Sequence, residues 1–114
     1  LQDIVDFLNK KYGQRIELEI EDSYYNMKEK IKPCMEIVEL AKKSIKKAGM
    51  DPIVKPIRGG TDGASLSYKG LPTPNLFTGG YNFHGRYELL SVDIMEKSFE
   101  VLKNIVQLNV KEEE

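Results

Sequence analysis

The run Ile53-Val54-Lys55-Pro56-Ile57-Arg58-Gly59-Gly60-Thr61-Asp62-Gly63-Ala64, resumed by Gly70-Leu71-Pro72-Thr73-Pro74-Asn75-Leu76-Phe77-Thr78-Gly79-Gly80, decides the fold. Ile53, Val54 and Ile57 form a short β-branched run suited to a strand, and it stops at Arg58-Gly59-Gly60. Thr61 or Asp62 is placed to cap a short helix reaching Tyr68, and Gly70 to end it. Leu71 to Thr78 is a second apolar run, closed by Gly79-Gly80. Strand, helix and strand in this order make a βαβ unit with parallel strands joined right-handedly, so the expected fold class is α/β. Both Gly-Gly pairs then fall at the carboxyl ends of strands, the rim where open α/β sheets bind ligands. The one histidine, His84, follows the second pair closely and is thereby expected at the same rim.

Residues 51–90 hold seven of the nine glycines and only seven charged side chains, against 19 charged in residues 1–50, so a site belongs in this segment and not in its flanks. The flanks read as helices. Leu1, Ile4, Val5, Leu8 and Tyr12 line one helical face that Gly13 ends. No capping residue precedes Leu1, as expected of a chain cut from something longer. Arg15 to Glu21 alternates Ile16, Leu18 and Ile20 with glutamates, the pattern of a strand with one wet face. Asp22 to Lys32 reads as a connector. Pro33 suits the first turn of a helix carrying Ile37, Val38, Ala41, Ile45 and Ala48 up to Gly49, with four lysines near its C-terminal end. A last helix starts at Ser91, with Met95, Phe99, Leu102 and Val106 as its buried stripe and Lys111 to Glu114 as a frayed tail.

At 114 residues and 13.0 kDa, area scaling predicts that folding buries about two-thirds of the unfolded surface, enough for a core. Seventeen basic against eighteen acidic residues give a net charge of -1 and no electrostatic footprint for nucleic acid. No apolar run approaches the roughly 20 residues of a membrane span, so no membrane partner is expected. Cys34 alone cannot bridge internally, which points to a reducing, cytoplasmic setting and excludes a cysteine-based zinc site.

Several chemistries compete at the glycine turns. Arg58-Gly59-Gly60-Thr61-Asp62-Gly63 exposes backbone amides that suit an anion, but it lacks the Lys-Ser/Thr of a phosphate loop and the G-x-G-x-x-G spacing. A stand-alone anion- or nucleotide-binding α/β module is therefore the alternative reading. Plainer roles for the same residues are a tight turn and a helix cap. His84 fits a metal ligand, a base or a loop residue, with Glu88 positioned to orient its imidazole. One histidine does not hold zinc, because a catalytic zinc takes about three protein ligands. Cys34 and the aromatics Tyr24, Tyr25, Phe77, Tyr81 and Phe83 read first as packing residues.

The segments Pro56 to Ala64, Gly70-Leu71-Pro72 and Asn75-Leu76-Phe77-Thr78-Gly79-Gly80-Tyr81-Asn82-Phe83-His84-Gly85 closely resemble the C-terminal part of the tripeptide aminopeptidases. These belong to a dizinc hydrolase family that includes the desuccinylases of diaminopimelate synthesis and the aminoacylases. The resemblance runs back through Ile20 to Met27 and forward from Ser91 to Leu108. It implies that residues 1–25 end a lid and dimerisation domain of α+β type, and that residues 26–114 are the C-terminal portion of a zinc-peptidase α/β catalytic domain. It implies two zinc ions in the intact enzyme, with His84 as the family's last metal ligand; the other ligands and the general base belong to sequence preceding Leu1. It further implies a tripeptide substrate, with Arg58, Gly59, Gly60 and Thr61 lining the peptide cleft. Alone, the chain is expected to be inactive and to self-associate through the lid or an exposed sheet edge.

Overall fold

The computed structural model describes residues 1–111, so the expectation for the tail beyond Lys111 lies outside the described residues. Five helices dominate: α1 (Gln2–Tyr12), α2 (Lys28–Ile31), α3 (Met35–Lys47), α4 (Asp62–Tyr68) and α5 (Val92–Lys111), with a 3-10 turn, Lys32–Cys34, carrying Pro33 into α3. Helix therefore starts earlier than the connector reading of Asp22 to Lys32 expected, with α2 in front of the proline.

The helix stops follow from glycine. At the end of α3, Gly49 takes φ 80°. Its N–H donates to the Lys46 carbonyl at 2.9 Å and the Met50 N–H donates to Ile45 at 3.2 Å, so two otherwise orphaned carbonyls are satisfied. Gly70 repeats the device after α4 with φ 99°, its own N–H going to Ser67 and that of Leu71 to Leu66.

The packed centre lies between α3 and α5. Ser44 and Ala48 of α3 meet Val101 and Asn104 of α5, all four buried. The Asn104 side-chain amide donates to the Ser44 carbonyl at 3.2 Å, and the Ser44 hydroxyl to Leu40 at 2.8 Å. Lys97 of α5 reaches the C-terminal end of α3 and donates to the Ala48 carbonyl at 3.0 Å, where the helix dipole favours a cation. The less exposed side of α5 carries Ile94, Ser98, Val101, Asn104, Ile105 and Leu108, with Asn104 bonded to α3 and Ser98 donating to the Phe77 carbonyl at 2.8 Å. The expected stripe of Met95, Phe99, Leu102 and Val106 is on the other side and exposed. The helix has two apolar faces, and periodicity identified one without showing which of them packs.

The expected βαβ unit is not present among the described residues. The only ladder there is a two-stranded antiparallel one, β1 (Gly80–Tyr81) with β2 (Leu89–Leu90), in the register Gly80 to Leu90 and Tyr81 to Leu89. Residues 53–57 and 71–78 flank α4 as expected but join no ladder, and neither does the alternating Arg15 to Glu21. Proline explains part of this. Pro52 and Pro56, like Pro72 and Pro74, fall two or four residues apart, on one edge of an extended run, and remove N–H donors from it. The class that survives is a helical chain with a small sheet, compatible with α/β.

Nor is there the core that mass alone predicts. The accessible surface is 9798 Å², against about 6,300 Å² for a folded monomer of this mass, so about half of the unfolded surface is buried instead of two-thirds. The radius of gyration, 20.4 Å, exceeds the roughly 13 Å of a closed domain this long. Helix α1 buries no residue at all.

Candidate functional site

The turn before α4 is built from both sides. Thr61 is the N-cap: its hydroxyl accepts from the Ala64 N–H at 3.2 Å and from the Asn75 side-chain amide, also at 3.2 Å. The cap choice left open by the sequence thus falls to Thr61. Gly63 is buried because the incoming segment passes against it; a Cβ there would lie 2.5 Å from the Thr73 carbonyl oxygen and 2.8 Å from Asn75 Oδ1. Ser67 ties the same segment down, donating to the Gly63 carbonyl at 2.7 Å and accepting from the Thr73 N–H at 2.9 Å. Sequence reasoning missed Asn75 and Ser67 as supports, since nothing local marks either as a partner of residues 6 to 14 positions away.

Arg58 precedes this cap and is exposed, as are Gly59 and Gly60, and Gly59 takes φ 81°. The sequence leaves open whether Arg58 pairs with a structural carboxylate. Among the described residues it forms no ion pair, so its guanidinium is available to an outside anion.

His84 sits in the loop between β1 and β2. Asn82 and His84 both occupy the left-handed region, φ 55° and 62°, which non-glycine residues seldom adopt. Backbone bonds from Gly85 to Asn82 and from Glu88 to Gly85 close the loop. Glu88 supports His84 differently from the expectation: its carboxylate accepts from the His84 backbone N–H at 3.1 Å, not from the imidazole. The imidazole points to solvent on an exposed residue. Gly79 anchors the loop base, since a Cβ there would come within 3.0 Å of Ser91, Ile94 and Met95 at the start of α5.

No group of three histidine, cysteine, aspartate or glutamate side chains among the described residues is arranged to hold a metal ion. One imidazole does not meet a zinc ion's need, so these residues by themselves do not fit a zinc site. Cys34 is half-buried, its thiol donating to the Lys30 carbonyl at 3.6 Å.

Tyr24 and Tyr25 bring the segment before α2 onto α4. The Tyr25 and Tyr68 rings lie 5.5 Å apart, and the Tyr68 hydroxyl donates to the Asn26 carbonyl at 3.2 Å. The hydrogen bond from Tyr25 to Asp22, and then the negative charge of that carboxylate, hold the Tyr25 phenol above the ordinary tyrosine value.

The sequence has matches among known proteins. Peptidase T of Clostridium perfringens (strain SM101) is 59% identical over 107 residues, 93% of the chain. Peptidase T of Alkaliphilus oremlandii is 55% identical over 112 residues, and that of Bacillus velezensis 57% over 109. Over nearly its whole length the chain is similar to peptidase T. It spans about a quarter of the length of these relatives, 26% of the first and 27% of the other two. No family model matches the chain. The peptidase T matches leave the anion- or nucleotide-binding alternative without support, and no helix among the described residues is long and apolar enough to cross a membrane.

Proposed function

We propose that this chain is the C-terminal portion of a metal-dependent aminopeptidase that releases the N-terminal residue of tripeptides, and that it is inactive alone. The observation that carries the reading is 55% to 59% identity to peptidase T over nearly the whole chain, including the segments that bear Arg58 and His84. Residues 1–25 are assigned to the end of the lid and residues 26–114 to the catalytic domain.

In this reading His84 offers its solvent-facing imidazole as one ligand of a two-zinc site whose remaining ligands come from outside the chain. Bound zinc would supply an acidified water and a polarised carbonyl. The chain's own part is positional. The left-handed backbone at His84 is held by Glu88 and leaves the residue exposed. Arg58 and the amides of Gly59, Gly60 and Thr61 offer positive charge and N–H donors, which suit the substrate's backbone or terminal carboxylate. The lone Cys34 supports a reducing cytoplasm, and the surplus exposed surface supports self-association of the isolated chain.

A chimera tests this. The chain replaces the matching 107 residues of the Clostridium perfringens peptidase T, and tripeptide hydrolysis and bound zinc are measured. The chimera is expected to cleave tripeptides, and His84→Ala to remove activity together with part of the bound zinc. Full activity and full zinc in His84→Ala would refute the ligand role. The chain alone, titrated calorimetrically with nucleotides, is expected to give no saturable binding.

A further inference from the structure

Two consecutive glycines give the Arg58–Thr61 turn great conformational freedom, yet its shape decides where Arg58 and three backbone amides point. On the C-terminal side the turn is fixed by Thr61, through Asn75 and the α4 cap. On the N-terminal side no backbone hydrogen bond is seen among the described residues. What lies there instead is the ring of Tyr24. A Cβ on Gly60 would meet Tyr24 Cδ1 and Cε1 at 2.5 Å and Cγ at 2.9 Å, and one on Gly59 would lie 4.0 Å from the Tyr24 hydroxyl oxygen. The ring therefore runs along both glycines, its stem at Gly60 and its hydroxyl end at Gly59.

Burial does not explain this placement. Tyr24 remains 51% exposed, so the contact spends little of the ring's area on a core. Its hydroxyl makes no hydrogen bond among the described residues, so the flat face, not the polar tip, makes the contact. Only glycine lets backbone and ring approach so closely. Asp22, Tyr25, Tyr68 and Asn26 in turn hold the chain on either side of Tyr24 against α4.

We propose that Tyr24 is a positioning residue for the substrate-binding turn, acting as a splint along Gly59-Gly60 that presets the Arg58 guanidinium and the turn amides for the substrate carboxylate. This rests on the peptidase reading above. Tyr24 precedes the assigned boundary at residue 25, so the splint also ties the end of the lid to the peptide cleft. A preset turn binds substrate without first losing its own freedom; without the ring, that ordering cost falls on binding.

The test uses the chimera described above. Because the turn contacts ground state and transition state alike, Tyr24→Ala is expected to raise KM for a tripeptide about tenfold with kcat held. Tyr24→Phe, which keeps the ring, should restore KM to within about twofold of the parent. Gly60→Ala displaces the ring and should reproduce the KM rise, and the double variant should be no worse than either single one, the mark of one shared contact. If Tyr24→Ala does not fold, Gly60→Ala and its double with Tyr24→Phe carry the same prediction.

An unchanged KM in Tyr24→Ala overturns the proposal while leaving the peptidase reading intact. So does a fall in kcat at constant KM with a lowered melting temperature, the signature of a merely structural role. An unsubstituted chimera that fails to cleave tripeptides overturns the peptidase reading and the splint with it.

Discussion

The side chains around α4 act through short, specific contacts that sequence alone does not disclose. Gly60 looks like an ordinary turn glycine until the Tyr24 ring is found on it, and Gly63 until the Thr73 carbonyl is found beside it. Tyr25 shows the same dependence in its acidity. Its bond to Asp22 and that carboxylate's charge raise the phenol's pKa in the folded chain. A raised folded pKa means that the Asp22–Tyr25 interaction contributes fully below the ordinary tyrosine value near 10, and is lost as pH rises through the higher folded value. A carbon-detected NMR titration of the tyrosine rings should find Tyr25 titrating above the ordinary tyrosine value. Asp22→Asn should bring Tyr25 back toward that value; a Tyr25 midpoint unmoved by Asp22→Asn would refute the assignment.

At the level of elements, the longer helices are legible, whereas α2 and strand pairing are not. The stops at Gly13, Gly49 and Gly70 and the cap at Thr61 are local chemistry, and all stand where glycine and threonine predict them. Strands need partners that local sequence does not name: the apolar runs at 53–57 and 71–78 read as paired parallel strands, yet neither joins a ladder among the described residues. The packed side of α5 is illegible for a related reason: the helix is apolar on two faces, and nothing local says which one α3 covers. The site divides along the same line, because the turn and the histidine loop are motifs, whereas Asn75 and Tyr24 reach them across 14 and 36 positions. The α3–α5 packing gives a direct check. Val101 is 1% exposed, and Val101→Ala should cost about 2 kcal/mol for lost methyls and the cavity. Asn104→Ala should cost about 1 kcal/mol by removing its hydrogen bond to the Ser44 carbonyl, which keeps its bond from the Ala48 N–H, and Lys103→Ala under about 0.5 kcal/mol. Equal effects of Val101→Ala and Lys103→Ala in chemical denaturation would refute this packing.

The whole molecule carries more surface than its mass warrants, and the surplus is apolar in a pattern. Phe99 at 65% and Leu102 at 50% exposure continue a stripe from Met95 to Val106 on the side of α5 away from α3. A helix apolar on opposite faces is built to be covered on both. The difference between 9798 Å² and the roughly 6,300 Å² expected of a closed domain is several times the 800 Å² that each partner buries in a standard interface. Isolated, the chain is therefore expected to self-associate in sedimentation velocity, and Phe99→Glu to shift it toward monomer; a monomer at every concentration would count against this. Leu102 gives the sharper comparison. In the isolated chain, kept dilute, Leu102→Ala removes a half-exposed side chain and should cost under about 0.5 kcal/mol. In the peptidase T chimera the rest of the polypeptide is available to cover the stripe, and the same substitution should cost about 2 to 5 kcal/mol, as for a buried leucine. A small cost in both settings would mean that the second face of α5 remains in water and that the surplus surface is covered elsewhere.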